Sequence, residues 1–156
     1  MTISFYPPCK YSKTAVIYYL CVSYINKRHT MKKVIASPKA PAALGPYSQA
    51  IMFNDTLYLS GQLGADPKTG ELGATVEEQT RQSLANLGYG LEEAGLTYGD
   101  VVKTTVLLAD IADFGAMNAI YAEYFTEDKP ARVCYQVAAL PKNAKVEIDA
   151  IAVKNK

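Results

Sequence analysis

Hydrophobic and polar positions in residues 31–156 alternate with two different periods, and the places where the period changes divide the chain into elements. KKVIAS reads as a short strand and SPKAPAALGPY as a proline-rich loop. SQAIMF and TLYLSG then read as two strands joined through Asn54-Asp55, a hairpin signal. GQLGADPKTGELG is a glycine-punctuated loop. Thr75 with Glu78 has capping-box spacing, and Val76, Thr80, Leu84, Leu87, Leu91 and Ala94 follow at helical spacing until Gly95 stops the run. DVVKTTVLLAD is a β-branched strand. Asp113 is placed to cap a second amphipathic helix carrying Phe114, Met117, Tyr121 and Tyr124 on one stripe. VCYQVAAL and KVEIDAIAV close the chain as strands. The order β, β, β, α, β, α, β, β predicts an α+β two-layer sandwich, with two helices on one face of a mostly antiparallel sheet.

The last strand predicts assembly. Val146, Ile148, Ala150 and Ala152 alternate with Glu147, Asp149, Ile151 and Val153, so neither face is cleanly polar. If helices cover one face, the other must find a partner, and an oligomer is expected.

Residues 1–30 differ in composition, with five tyrosines and neither acid nor glycine. They read as an extension outside the domain. The alternatives are a start upstream of a natural initiator at Met31, a targeting segment (mitochondrial targeting included), or a genuine strand or helix. Charge sharpens this division. Removing Lys10, Lys13, Lys27 and Arg28 from 16 basic residues leaves 12 against 15 acids, a balance of −3 for residues 31–156. That is no electrostatic footprint for nucleic acid. No segment has the roughly 18 consecutive apolar residues of a membrane span. The length suits one domain with a real core.

Cys9, Cys21 and Cys134 form neither a CxxC pair nor a metal-ligand cluster, which suits a reducing, cytoplasmic setting. The only histidine is His29, so residues 31–156 have no histidine for a triad or for ribonuclease chemistry. Any chemistry there uses Arg, Tyr, Glu, Asp, Ser, Cys or backbone groups.

Only two arginines fall within residues 31–156. Arg81 lies one helical turn from Glu77 and reads as a solvated helix charge. In PARVCYQVAALP, alternation places Val133, Tyr135 and Val137 on one strand face, and Arg132, Cys134, Gln136 and Ala138 on the other. A guanidinium beside apolar neighbours is costly unless an anion meets it. The bland alternative is a strand-end charge reaching to water.

Five motifs then coincide in order: APAALGPYSQA at 41–50 (from Pro41, with Ala40 before it), LYLSGQLG at 57–64, VVKTTVLLADIADFGAMNAIYAEYF at 101–125, KPARVC at 129–134, and LPKNAKVEIDAIAV at 140–153. On these, residues 31–156 resemble the reactive intermediate imine deaminase (RidA) family, also labelled endoribonuclease L-PSP. The resemblance implies a chorismate-mutase-like fold, and a homotrimer with sites at subunit clefts. It implies hydrolysis of 2-iminobutanoate, 2-iminopropanoate and their enamines to 2-oxo acids and ammonia, without metal or organic cofactor. Residue by residue, it implies that Arg132 holds the substrate carboxylate and that Glu147 positions the attacking water. The backbone carbonyl of Cys134 would face that water, Tyr47 would be the site tyrosine, and Ser60, Gly61 and Asn118 would line the cleft. Two departures, SGQLG and the Tyr135, Gln136 and Ala139 positions, sit beside these residues and bear on substrate preference. Read without the family, Glu147 is an outward strand carboxylate, Tyr47 a loop aromatic, Cys134 a small buried hydrophobe, Ser60 a turn residue and Asn118 a helix-surface amide. Two rival functions stand beside the deaminase: a non-catalytic regulatory trimer that binds carboxylate metabolites, and an endoribonuclease.

Overall fold

The computed structural model describes residues 32–154, and the 1–30 stretch lies outside them. Six strands form one sheet: β1 (Lys33–Ile35), β2 (Ala50–Phe53), β3 (Thr56–Leu63), β4 (Val101–Leu108), β5 (Ala131–Gln136) and β6 (Val146–Val153). Their order across the sheet is β1-β2-β3-β6-β4-β5. Every pairing is antiparallel except β4 with β5. A parallel pair needs a long crossover, and α2 (Phe114–Tyr124) supplies it, while α1 (Val76–Glu93) links β3 to β4. The two helices pack on one face of this mostly antiparallel sheet, as the alternation of periods predicts. The β2–β3 hairpin turns at Asn54, whose left-handed φ of 56° is one that asparagine tolerates well.

The core lies between helices and sheet. Leu84, Leu87 and Leu91 of α1 and Met117 and Tyr121 of α2 meet Leu57, Leu59, Val106, Leu108, Val146, Ile148, Ala150 and Ala152 of the strands. Helix α1 begins with the expected reciprocal cap, in which Glu78 N–H donates to Thr75 Oγ1 at 3.2 Å and the Glu78 carboxylate accepts from Thr75 N–H. It ends as Gly95 takes a φ of 70°.

Three expectations change. Asp113 precedes α2 but makes no capping bond, because a 3-10 turn over Ile111–Asp113 comes first and Asp110 caps that turn through Ala112 N–H. Arg81 does not pair along its own helix. It bridges to Glu123 of α2 through both nitrogens, tying the helices together at an exposed position. The fifth strand ends at Gln136 rather than running through Leu140, since a 3-10 turn over Pro141–Asn143 redirects the chain towards β6.

The apolar pattern also hides a polar stripe on α1. Gln79, Ser83 and Asn86, at helical spacing, are buried and point at backbone. Ser83 donates to Gln62 O at 2.7 Å, Asn86 Nδ2 donates to Leu63 O at 3.1 Å and Ala65 O at 2.9 Å, and Gln79 bonds both Gly73 O and Lys145 N–H. A Cβ at Gly64 would overlap the Gln79 backbone, so helix and chain approach as closely as glycine allows. This clamp fixes the C-terminal half of β3.

Asn86→Leu keeps the branched shape and removes both bonds to carbonyls that stay buried. It is expected to cost about 2–4 kcal/mol, read as a lower urea midpoint at one fixed protein concentration. A variant as stable as the parent would contradict the clamp.

Candidate functional site

The predicted site residues fall into two groups. The first is built on an irregularity in β3. Leu59 pairs with Ala150 and Gln62 with Ile148, so Ser60 and Gly61 together face the single residue Asp149. Ser60 uses this bulge to hold the proline-rich loop, its hydroxyl donating to Ser48 O at 2.7 Å and its N–H to Gln49 O at 3.0 Å. Gln49 organises the rest of that loop by accepting from Ser37 N–H and donating to Pro41 O. Tyr47 thereby stands exposed at the rim, where its hydroxyl accepts from Leu44 N–H at 3.2 Å. Tyr47, Ser60, Gly61, Leu63, Pro141 and Glu147 line an open cavity of about 410 Å³.

Glu147 is the acid of this cavity. Its carboxylate lies over Gly61 so closely that a Cβ there would overlap it. Burial pushes the Glu147 carboxyl above the usual carboxylate range, and the negative charge of Asp149 pushes it the same way. Asp149 is held by accepting from Thr105 N–H at 3.1 Å. A carboxyl raised in this way exchanges protons closer to neutrality, as general acid–base work requires.

The second group surrounds Arg132. Phe114, Asn118 and Tyr121 recur at i, i+4 and i+7 on α2 and all face the guanidinium. One Nη donates to Asn118 Oδ1 at 2.8 Å, and Cζ lies 4.5 Å from the Tyr121 ring centre and 5.7 Å from that of Phe114. The two ion pairs among the described residues are Lys39–Glu92 and Arg81–Glu123. Among the described residues Arg132 thus meets an amide and two aromatic faces but no carboxylate, and its one hydrogen bond to them leaves most of its five donors unspent. Cys134 follows on the same strand face, half-buried. Burial pushes its thiol above the usual range, which disfavours a thiolate nucleophile.

The two groups do not meet within the chain. Arg132 lies beside Thr104, which is fully buried under the helices. Glu147 alternates with the buried Val146 and Ile148 and so emerges on the opposite, helix-free face. Strand β4 runs between their two strands, adding two spacings, about 10 Å, to the thickness of the sheet. The helix-free face is apolar over much of its area, with Tyr58 48%, Val133 43% and Tyr135 51% exposed. Among the described residues no cluster of His, Cys, Asp and Glu could hold a metal ion. Sequence reasoning counted Phe114 and Tyr121 as core only and passed over Asp149. The 114/118/121 spacing was the available signal for the first two.

Comparison with known proteins places these positions in context. The family model described as Endoribonuclease L-PSP matches residues 37–154. The chain is similar to the 2-iminobutanoate/2-iminopropanoate deaminase of Mus musculus, at 56% identity over 126 residues, covering 80% of this chain and 93% of that protein. It is also similar to Reactive Intermediate Deaminase A, chloroplastic, of Arabidopsis thaliana, 57% identical over 129 residues, 82% of this chain and 69% of that protein. Among solved structures, RidA from Psychrobacter sp. superposes with a TM-score of 0.77 at 44% identity, over 78% of this chain and 99% of that one. TdcF of E. coli, solved with bound serine, superposes with a TM-score of 0.76 at 43% identity, over 80% and 100%.

Gly61→Ala tests the first group. The methyl displaces a flexible carboxylate rather than backbone, so the fold should tolerate it while Glu147 loses its seat. Turnover of an imino acid is expected to fall at least about tenfold, roughly 1.4 kcal/mol, with a melting temperature close to that of the parent. Undiminished turnover would show that the close approach has no catalytic consequence.

Proposed function

The chain belongs to the endoribonuclease L-PSP family, and from that membership we propose that it is a 2-imino acid deaminase, a hydrolase that converts 2-iminobutanoate and 2-iminopropanoate to 2-oxo acids and ammonia. The observation that carries this reading is Arg132, a guanidinium seated against Tyr121 and Asn118 with no carboxylate partner among the described residues. A small substrate carboxylate fits that vacancy in charge and in two-pronged geometry.

With the carboxylate anchored, the electrophilic C=N carbon is fixed in position. Glu147 accepts a proton from water as its oxygen bonds to that carbon, and the Cys134 carbonyl helps to aim the water. The proton passes from Glu147 to nitrogen to give the carbinolamine; Glu147 then takes the hydroxyl proton and delivers it to the amine as the C=O bond forms and the C–N bond breaks, so that ammonia leaves with the 2-oxo acid. General acid–base assistance of this kind contributes roughly 10² to 10⁴ in rate. Tyr47, Ser60 and Gly61 line the Glu147 half and Asn118 the Arg132 half. The 2-iminobutanoate/2-iminopropanoate deaminase names of the mouse and E. coli relatives support the same chemistry. So does the carboxylate-bearing serine bound to the related TdcF. A net charge of −3 over residues 31–156, with no histidine there, speaks against ribonuclease work.

Because Arg132 and Glu147 emerge on opposite sheet faces, we take the working site to lie between copies, with Arg132 from one subunit and Glu147 from the next. The copies form a homotrimer of the chorismate-mutase-like kind, closed through the apolar helix-free faces. Mixed trimers test this. Arg132→Lys and Glu147→Gln homotrimers are each expected to release almost no ammonia from imine supplied by a serine or threonine dehydratase. Refolded together in equal amounts, they should regain roughly a quarter of parental turnover, because one interface in four then holds both native residues. A mixture as inactive as its components would sink the shared site. Turnover by a stable monomer would sink the assembly.

The pH profile carries a second expectation. Hydrolysis needs ionised Glu147, so activity falls as pH drops through its raised pKa. Asp149→Asn keeps the acceptor for Thr105 N–H and removes the repulsion, so the acidic limb of kcat/KM should move to lower pH. An unmoved limb would assign it to another group.

A further inference from the structure

The Arg132 guanidinium is held by a device that lies outside the substrate pocket. Thr104 is Arg132's register partner on β4, so their side chains leave the sheet side by side on the helix-covered face. The Thr104 hydroxyl lies 2.7 Å from the Tyr121 hydroxyl, and both groups are buried. That bond pins the far end of the Tyr121 ring to the neighbouring strand. With one edge fixed by α2 and the other by Thr104, the ring cannot rotate away, and its face lies 4.5 Å from the guanidinium carbon. Phe125, tilted against Tyr121 at 4.5 Å between ring centres, supports the ring from the core. Asn118 then takes one Nη, which sets the rotation of the guanidinium about its long axis.

We propose that Tyr121, locked by Thr104, is a positioning residue that fixes the plane of the Arg132 guanidinium so that its remaining donors meet a carboxylate two at a time. This rests on the reading of Arg132 as the carboxylate anchor. A planar fork binds well only when its plane contains the carboxylate, and a long arginine side chain loses that alignment unless something restrains it. The aromatic face restrains it without competing for its donors, which a carboxylate partner would do. Tyr121 touches no substrate in this scheme and acts entirely through Arg132.

Three variants separate the parts. Tyr121→Phe keeps the ring and removes its hydroxyl. Thr104→Val removes the same bond from the other side. Tyr121→Leu removes the aromatic face. The readouts are KM and kcat for the imino acid and the Kd of 2-oxobutanoate, a stable carboxylate product. Tyr121→Phe and Thr104→Val should each raise KM and Kd about threefold to fivefold with kcat much less affected, since the anchor acts on bound substrate and transition state alike. The double variant should be no worse than either single one, because both delete one bond. Tyr121→Leu should raise both constants about tenfold or more, with phenylalanine restoring most of the loss. A purely structural role would lower the melting temperature and leave KM and Kd at parental values in the folded variants. That result overturns the proposal, and Phe and Val decide it even if Tyr121→Leu fails to fold. Arg132→Lys, measured alongside, keeps the two ideas apart. Weak binding by Arg132→Lys with parental Tyr121 variants refutes the positioning role alone, whereas parental binding by Arg132→Lys refutes the anchor and the positioning role with it.

Discussion

A β-strand sends successive side chains to opposite faces of its sheet, and a sheet with helices on one side only makes those faces unlike. Arg132 falls on the helix-covered side and Glu147 on the open side, two strands away. Side chains on opposite faces of one sheet cannot meet through it, and a one-residue slip of β6 would expel the core residues Val146 and Ile148. Glu147 is therefore locked to its face by the same hydrophobic alternation that holds the fold, and Arg132 by the pairing of β5 with the alternating strand β4.

The two halves use that constraint differently. On the covered side, a half-buried cation has no counter-charge among the described residues, and two rings and one amide meet it. A carboxylate in the same place would satisfy the charge better and occupy the seat. On the open side, a carboxyl is raised by burial and by Asp149, and the strand beneath it bulges to bring Gly61 under the side chain. Bulges recur where a strand must re-aim its residues. Beside this one, the Gln79, Ser83 and Asn86 stripe of α1 grips the carbonyls of residues 62, 63, 65 and 73.

How far the sequence discloses this arrangement follows from which forces act locally. The capping box at Thr75, the glycine stop at Gly95 and the period-two strands depend on neighbours a few residues apart, and they read directly. The layer architecture follows from their order. The polar stripe on α1 did not read, because a buried amide satisfied by a distant carbonyl looks on paper like a solvated one. Arg81 likewise has a plausible partner at Glu77 and an actual one 42 residues away. Asp113 stands where a cap is expected, but the chain makes its turn one step earlier at Asp110. For the candidate site, the family motifs nominate the residues. Their division between two faces was not legible, because alternation states only which residues of one strand share a side. Strand order and helix placement are needed to know which side faces which layer.

That division bears on what the helix-free face must do. Tyr58, Val133 and Tyr135 stand substantially exposed there, flanked by Ile151, Leu107 and Val153, an apolar surface that a lone chain would leave in water. In the proposed trimer, covering it with another copy would remove that cost and, by the same movement, bring foreign side chains to the rim formed by Tyr47, Gly61 and Glu147. On that proposal assembly and catalysis draw on one surface, and a substitution such as Val133→Lys, outside both halves of the proposed site, would act on turnover through the apposition of subunits.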